Sequence, residues 1–139
     1  MAIVVHYVGN PGTTAEQNRS YFNNLAELKN AYASSHYVVG LQGEIIQCVP
    51  LDEIAYASNN RNYDTISIEC CHQDVEGRFT GDTYNSLVRL VAALCRTYGL
   101  NPETDVIRHY DVTGKLCPIY YVNNPDEWYA FKLSVKNEM

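Results

Sequence analysis

No run of eighteen apolar residues occurs in this chain, and no basic segment followed by an apolar one stands at its start. A membrane span needs the first and a secretory leader the second, so membrane insertion is not expected and synthesis in the cytoplasm without a signal peptide is. Basic residues are also scarce: 10 Lys and Arg against 16 Asp and Glu give a formal charge of −6, with the acids spread along the chain. Phosphate binding relies on clustered Lys and Arg, so nucleic acid is disfavoured as the principal partner. Low-complexity runs and internal repeats are absent, and methionine is confined to Met1 and Met139. Five cysteines at 48, 70, 71, 95 and 117 form no even, regularly spaced framework, which points to a reducing compartment.

What is present reads as one domain over residues 1–139, long enough to bury a core without staples. "AIVVHYV" is a near-continuous apolar strand, a pattern that suggests a central place covered on both faces. Thr13 and Glu16 make a capping box for a helix whose apolar face carries Tyr21, Phe22, Leu25, Leu28 and Tyr32. "SHYVVGLQGEIIQCVP" predicts two strands around a tight turn at Gln42 and Gly43, and "DTISIECC" another strand. Between Asp82 and Tyr98 the residues Tyr84, Leu87, Val88, Val91, Leu94, Cys95 and Tyr98 repeat at helical spacing, with Gly99 as a stop. Asn124, Pro125 and Glu127 cap a last helix with Trp128, Phe131 and Val135 on its apolar stripe. The expected class is α/β, a central mixed β-sheet flanked by helices. Cys48 and Cys95 fit that core as small apolar residues, and the neighbours Cys70 and Cys71 point to opposite faces of their strand.

Polar residues interrupt the pattern at a few places. His6 lies within the first strand, sharing a face with Val4 and Val8; alone, such a histidine is ordinarily a hydrogen-bonded core or rim residue. Glu69 shares a strand face with Thr65 and Ser67, opposite Ile66, Ile68 and Cys70. That face reads either as a polar surface in water or as the wall of a cleft in which a carboxylate works as a base.

"RHYDVTGKLCP", residues 108–118, supplies context, because a turn built for shape alone needs only its Gly and Pro. His109 and Cys117 with His6 offer two imidazoles and a thiolate, a zinc set with a fourth position left for water. Zinc would hold Cys117 deprotonated and lower the pKa of that water to about 7. Lys115 would stand beside it as a donor to a developing oxyanion, and Glu69 could take the water's proton. Blue copper suits the same ligands, but neither methionine is placed as its axial ligand. A Cys117 nucleophile with His109 as base leaves His6 without a role. A closed structural zinc would need His36 or His72 as a fourth ligand, and neither has metal-like local spacing.

Taken in order, "IVVHYVG", "SSHYVVGLQGEIIQCVP", "DTISIECC" and "RHYDVTGKLCP" resemble the zinc-dependent N-acetylmuramoyl-L-alanine amidases, the superfamily shared by phage endolysins, bacterial autolysins and peptidoglycan recognition proteins. The resemblance spans nearly the whole chain. It implies that fold, with His6, His109 and Cys117 as zinc ligands, Glu69 as general base and Lys115 steadying the tetrahedral intermediate. The reaction implied is hydrolysis of the amide between N-acetylmuramic acid and L-alanine of the peptidoglycan stem peptide, leading to lysis of the cell wall. The alternative within the superfamily is a non-catalytic peptidoglycan-binding recognition module, whose members typically lose the cysteine that this chain keeps as Cys117.

Some members place a catalytic tyrosine where this chain has Ser35, which shifts the proton work to Glu69. His36 is a candidate for the substrate groove or for a packed supporting role. Asn59, Asn60 and Asn62 of "ASNNRNYD" are candidate groove donors in what is otherwise a polar loop, Asn60 the one carried forward as substrate-binding. Twelve tyrosines suit a substrate of sugars and peptides. Met1 and Ala2 run straight into the first strand and "KLSVKNEM" stops just after the last helix, as expected of a monomeric catalytic module, with a wall-binding domain outside this chain. If the gene is phage-borne, release to the wall would depend on a holin.

Overall fold

The computed structural model describes the backbone of residues 1–28 and 33–139, and the side chains of residues 1–25 and 33–139. Among these, five strands make one mixed sheet in the order β3-β2-β4-β1-β5: β1 (Ala2–Tyr7), β2 (Tyr37–Val39), β3 (Ile45–Gln47), β4 (Thr65–Cys70) and β5 (Val106–Arg108). β1 lies parallel between β4 and β5, β2 runs parallel to β4, and β2 and β3 form an antiparallel hairpin. The helices are α1 (Ala15–Leu28), α2 (Gly81–Tyr98), α3 (Pro102–Asp105), α4 (His109–Thr113), α5 (Ile119–Asn123) and α6 (Pro125–Glu138), with a 3-10 turn at Asn59–Asp64. The expected α/β class and central mixed sheet are what the chain forms.

Register sorts the residues of the sheet into two faces. Ile3 pairs with Ile66 and Val106, and Val5 with Ile68, so these side chains point one way. There they join Leu87, Val91 and Leu94 of α2 and Trp128, Phe131 and Val135 of α6 in the main core. Each such side chain fully removed from water contributes about 1.5–3 kcal/mol. On the other face His6 pairs with Glu69. A smaller apolar cluster of Ala15, Val38 and Cys71, flanked by Phe22, packs between that face and α1.

Local chemistry explains the element ends. Gly43 turns the hairpin at φ +84°, and a Cβ there would stand 2.9 Å from the carbonyl oxygen of Asp82. Both the conformation and the close approach to α2 require glycine. Gly99, also left-handed, stops α2 as expected.

Several expectations shift. The α1 box is made by Thr14 and Gln17 instead of Thr13 and Glu16: Thr14 N–H donates to Gln17 Oε1 at 2.9 Å, and Gln17 N–H donates to Thr14 Oγ1 at 3.1 Å. Thr13 Oγ1 donates instead to the Asn10 carbonyl. Tyr21 and Tyr98 are exposed, so the buried stripes of α1 and α2 are narrower than their spacing implies. The Leu28 and Tyr32 side chains lie outside the described residues. Pro125 opens α6, but the Asn124 side chain donates back to the Tyr120 carbonyl and caps nothing. Cys70 and Cys71 do face opposite clusters, while Cys48 is only half-buried.

Candidate active site

Parallel strands deliver their C-terminal ends to one edge of the sheet, where α/β folds place their sites. β5 ends at Arg108, which pairs with Val5, so the next residue, His109, emerges beside His6. His6 in turn pairs with Glu69. Three adjacent strand ends thus set Glu69, His6 and His109 side by side.

Cys117 reaches the same point through the short α4 and its left-handed stop at Gly114. Arg108 fixes the entry to α4: its guanidinium bonds both oxygens of Asp111, its backbone N–H donates to Asp111 Oδ2, and Nη1 holds the Tyr121 carbonyl at 2.9 Å. At the exit the Tyr110 N–H donates to the Cys117 carbonyl at 3.0 Å. The spacing of "RHYDVTGKLCP" is the length of chain needed to return to the starting strand.

His6, His109 and Cys117 are all buried, and their potential ligand atoms lie within 4.8 Å of one another. His6 Nδ1 is 3.8 Å from Cys117 Sγ. A tetrahedral zinc with ordinary bond lengths would hold nitrogen and sulfur about 3.6 Å apart, so little movement separates this arrangement from a metal centre. The far ring nitrogens are occupied: His6 Nε2 meets Ser58 Oγ at 3.2 Å and His109 Nε2 meets Asn59 Oδ1 at 2.7 Å. His6 Nδ1 faces Cys117 Sγ, and among the described residues no hydrogen bond takes His109 Nδ1, so both are open to a ligand role and the donor set fits zinc.

Electrostatics agree. Burial, with His109 and Lys115 nearby, pushes the His6 pKa down to about 3, and burial with Lys115 lowers that of His109. Neutral imidazoles are the form a metal needs. Burial and Glu69 push the Cys117 thiol up to about 12, against the opposing pull of the Tyr7 backbone N–H and Lys115. A thiol so placed is a poor nucleophile at neutral pH, which weighs against a cysteine hydrolase; a bound divalent cation would ionise it. Burial raises the Glu69 carboxyl to about 8, with Lys115 pulling it down. Its Oε2 is buried and has no hydrogen-bond partner among the described residues.

These groups line a cleft of about 220 Å³ that also takes in Tyr7, Phe22 and Tyr56. The sequence pattern of the N-acetylmuramoyl-L-alanine amidase family matches residues 1–119.

The chain belongs to that family.

N-acetylmuramoyl-L-alanine amidase BlyA of Bacillus subtilis (strain 168) is 35% identical to it over 156 aligned positions, covering 98% of this chain and 41% of BlyA. The chain thus spans about two fifths of the length of the curated relatives it matches, CwlL of Bacillus licheniformis being covered to 40%. Among solved structures, PlyL superposes at a TM-score of 0.81 with 28% identity, over 96% of this chain and 82% of PlyL. The PlyG catalytic domain gives 0.82 with 30% identity, over 99% of this chain and 81% of that domain.

Within this amidase-family chain, the five residues expected at the metal and its reaction come together: His6, His109, Cys117, Glu69 and Lys115 all line the one cleft. The two expected to bind substrate do not join them. His36 is 1% exposed, with Nδ1 accepting from the Ser67 N–H at 3.0 Å and Nε2 donating to the Glu53 carbonyl at 2.8 Å. A ring with both nitrogens spent on backbone clasps the hairpin to β4 and the following loop, and the groove role does not fit it. Asn60 is exposed on the 3-10 turn, off the cleft lining. Its neighbour Asn59 is turned to His109 instead of to a groove. Ser35 is buried, its hydroxyl donating to the Tyr37 and Ser67 carbonyls. Sequence reasoning missed Ser58 and the cleft-lining Tyr7 and Tyr56; the Ser-Asn pair before a polar turn was the one available signal for Ser58.

Proposed function

We propose that this chain hydrolyses the amide between the lactyl group of N-acetylmuramic acid and L-alanine of the stem peptide, with peptidoglycan as substrate and zinc as cofactor. The observation that carries the reading is the meeting of His6, His109 and Cys117 with Glu69 and Lys115 in one cleft. His6, His109 and Cys117 would hold the metal. Zinc, when bound, supplies Lewis acidity towards a carbonyl oxygen and towards water.

Glu69 takes the proton of the attacking water. Burial raises its carboxyl to about 8, so in the metal-free chain the ionised, proton-accepting form is the lesser one at neutral pH, and Lys115 together with a bound cation would favour it. Lys115, exposed at the mouth of the cleft, donates to the oxygen on which negative charge develops. Among the described residues nothing partners the buried Glu69 Oε2, which leaves that atom open to a water in the cleft. The presence of Cys117 beside both histidines favours cleavage over recognition.

Residues 1–139 act in this reading as one catalytic module, monomeric, at the bacterial cell wall. The curated relatives are longer than this chain, which supports attachment to further chain, and a wall-binding domain is the role we propose for it. Among the described residues no helix is long and apolar enough to cross a membrane. Holin-dependent release applies if the gene is phage-borne.

The test is mass spectrometry of purified MurNAc-L-Ala-D-isoGln after incubation with the chain, with and without chelator. Release of MurNAc and the free dipeptide, stopped by chelator, is expected. Tight binding of an intact muropeptide would instead identify a recognition module.

A further inference from the structure

The loop residues Ser58 and Asn59 are consecutive, yet each reaches a different histidine of the metal set. Ser58 is fully buried, its Oγ 3.2 Å from His6 Nε2 and 3.1 Å from Ser67 Oγ. Asn59 Oδ1 stands 2.7 Å from His109 Nε2. Asn59 is also the one non-glycine residue with positive φ among those described, at 54°. Asparagine tolerates that conformation better than most residues. Here it lets two successive side chains point at two rings.

The loop is held from below. The Oδ1 of Asn62 accepts the N–H groups of Ala57 and Ser58 at 3.1 and 2.6 Å, and Arg61 N–H donates to the Ser58 carbonyl. We propose that Ser58 and Asn59 are positioning residues for the metal centre, fixing both histidines as the tautomer with the proton on Nε2 so that each Nδ1 lone pair faces the metal.

The chemistry of the pair supports this. An amide oxygen only accepts, so His109 Nε2 must carry the proton. A serine hydroxyl that accepts from His6 has its own proton left for Ser67 Oγ, which completes the relay into β4. Outer partners of this kind set ring orientation and ligand basicity in metal sites. The inference rests on the metal reading above, and the test separates the two.

Long-range proton–nitrogen NMR of the imidazoles, on the whole chain stripped of metal, reads the tautomers without any metal or turnover. His109 in the Nε2–H form is expected; the Nδ1–H form would mean that the amide faces the other way and would overturn the proposal. Zinc affinity is then measured by competition with a chromogenic chelator. Asn59→Gly keeps the backbone conformation and removes the acceptor, and it is expected to weaken zinc roughly 10- to 100-fold. Asn59→Asp, which keeps an acceptor oxygen, is expected to restore both affinity and tautomer. Ser58→Ala is expected to weaken zinc while leaving the His109 tautomer alone. Unchanged affinity in Asn59→Gly, or Asn59→Asp no better than Asn59→Gly, contradicts the proposal even if Ser58→Ala fails to fold. A parent that takes up no zinc contradicts the metal reading itself, whatever its tautomers.

Discussion

Towards α2 and α6 the strands β1 and β4 present Ile3, Val5, Ile66, Ile68 and Cys70; on the opposite face the same two strands present His6, Thr65, Ser67 and Glu69. Both faces are buried almost throughout. On the first, removal of apolar area from water is the main account, and apolar side chains of similar volume are the ones tolerated best. On the second, each polar group must find a partner or remain as a cost. Ser67 and His36 find theirs, and Glu69 Oε2 finds none among the described residues. Stability is concentrated on one side of the sheet and chemistry on the other, with the strand ends as the boundary.

The comparison breaks most visibly at the metal set. Cys117→Ser should abolish zinc binding and hydrolysis together while the α2 and α6 core stays folded. Metal analysis beside circular dichroism checks this; full zinc content would remove Cys117 from the ligands. Glu69→Gln should keep zinc and slow turnover by roughly two to four powers of ten, measured on the muropeptide. A rate equal to the parent's would move the base elsewhere.

The opposite face should answer differently. Leu87→Ala empties a fully buried position in the core and should cost about 2–5 kcal/mol of stability, seen in denaturant unfolding, with zinc affinity retained. Loss of zinc affinity in the folded variant would show the two faces to be coupled.

Titration sharpens the contrast further. Glu69 holds its proton up to about pH 8 when folded, against an ordinary value of 4.5. Between those pH values the folded chain binds more protons at this site than the unfolded one, so this group makes stability fall as pH rises. His6, lowered to about 3 from 6.5, acts the other way, removing stability as pH falls through that window. In metal-free protein the melting temperature of Glu69→Gln should therefore gain on the parent's from about pH 5 to pH 8 and run level above. A constant difference across that range would mean that Glu69 is not shifted. The smallest effect is expected at Thr14→Ala, about 1 kcal/mol for the lost α1 cap, measured by thermal unfolding.

Much of this division is legible in the sequence. A near-continuous apolar run marks β1, alternation marks β4 and helical spacing marks α2, because each period follows from which faces of the element are buried. The candidate metal set is legible in part because two of its members, His109 and Cys117, share one short loop with Lys115. Other features depend on partners distant in the chain. "TTAEQ" holds two overlapping capping boxes, and only the entry angle of α1 selects Thr14 with Gln17. The polar face of β4 reads equally as a surface in water or as a cleft wall until residues 58 and 36 are seen to cover it. Asn59 reads as a loop donor until its positive φ turns it onto His109.

The most direct test of a metal centre at these strand ends is X-ray absorption at the zinc edge of the zinc-loaded chain. One sulfur near 2.3 Å with two imidazole nitrogens and an oxygen near 2.0 Å is the expected shell. A shell without sulfur, or with more than one sulfur, would contradict the assignment of His6, His109 and Cys117.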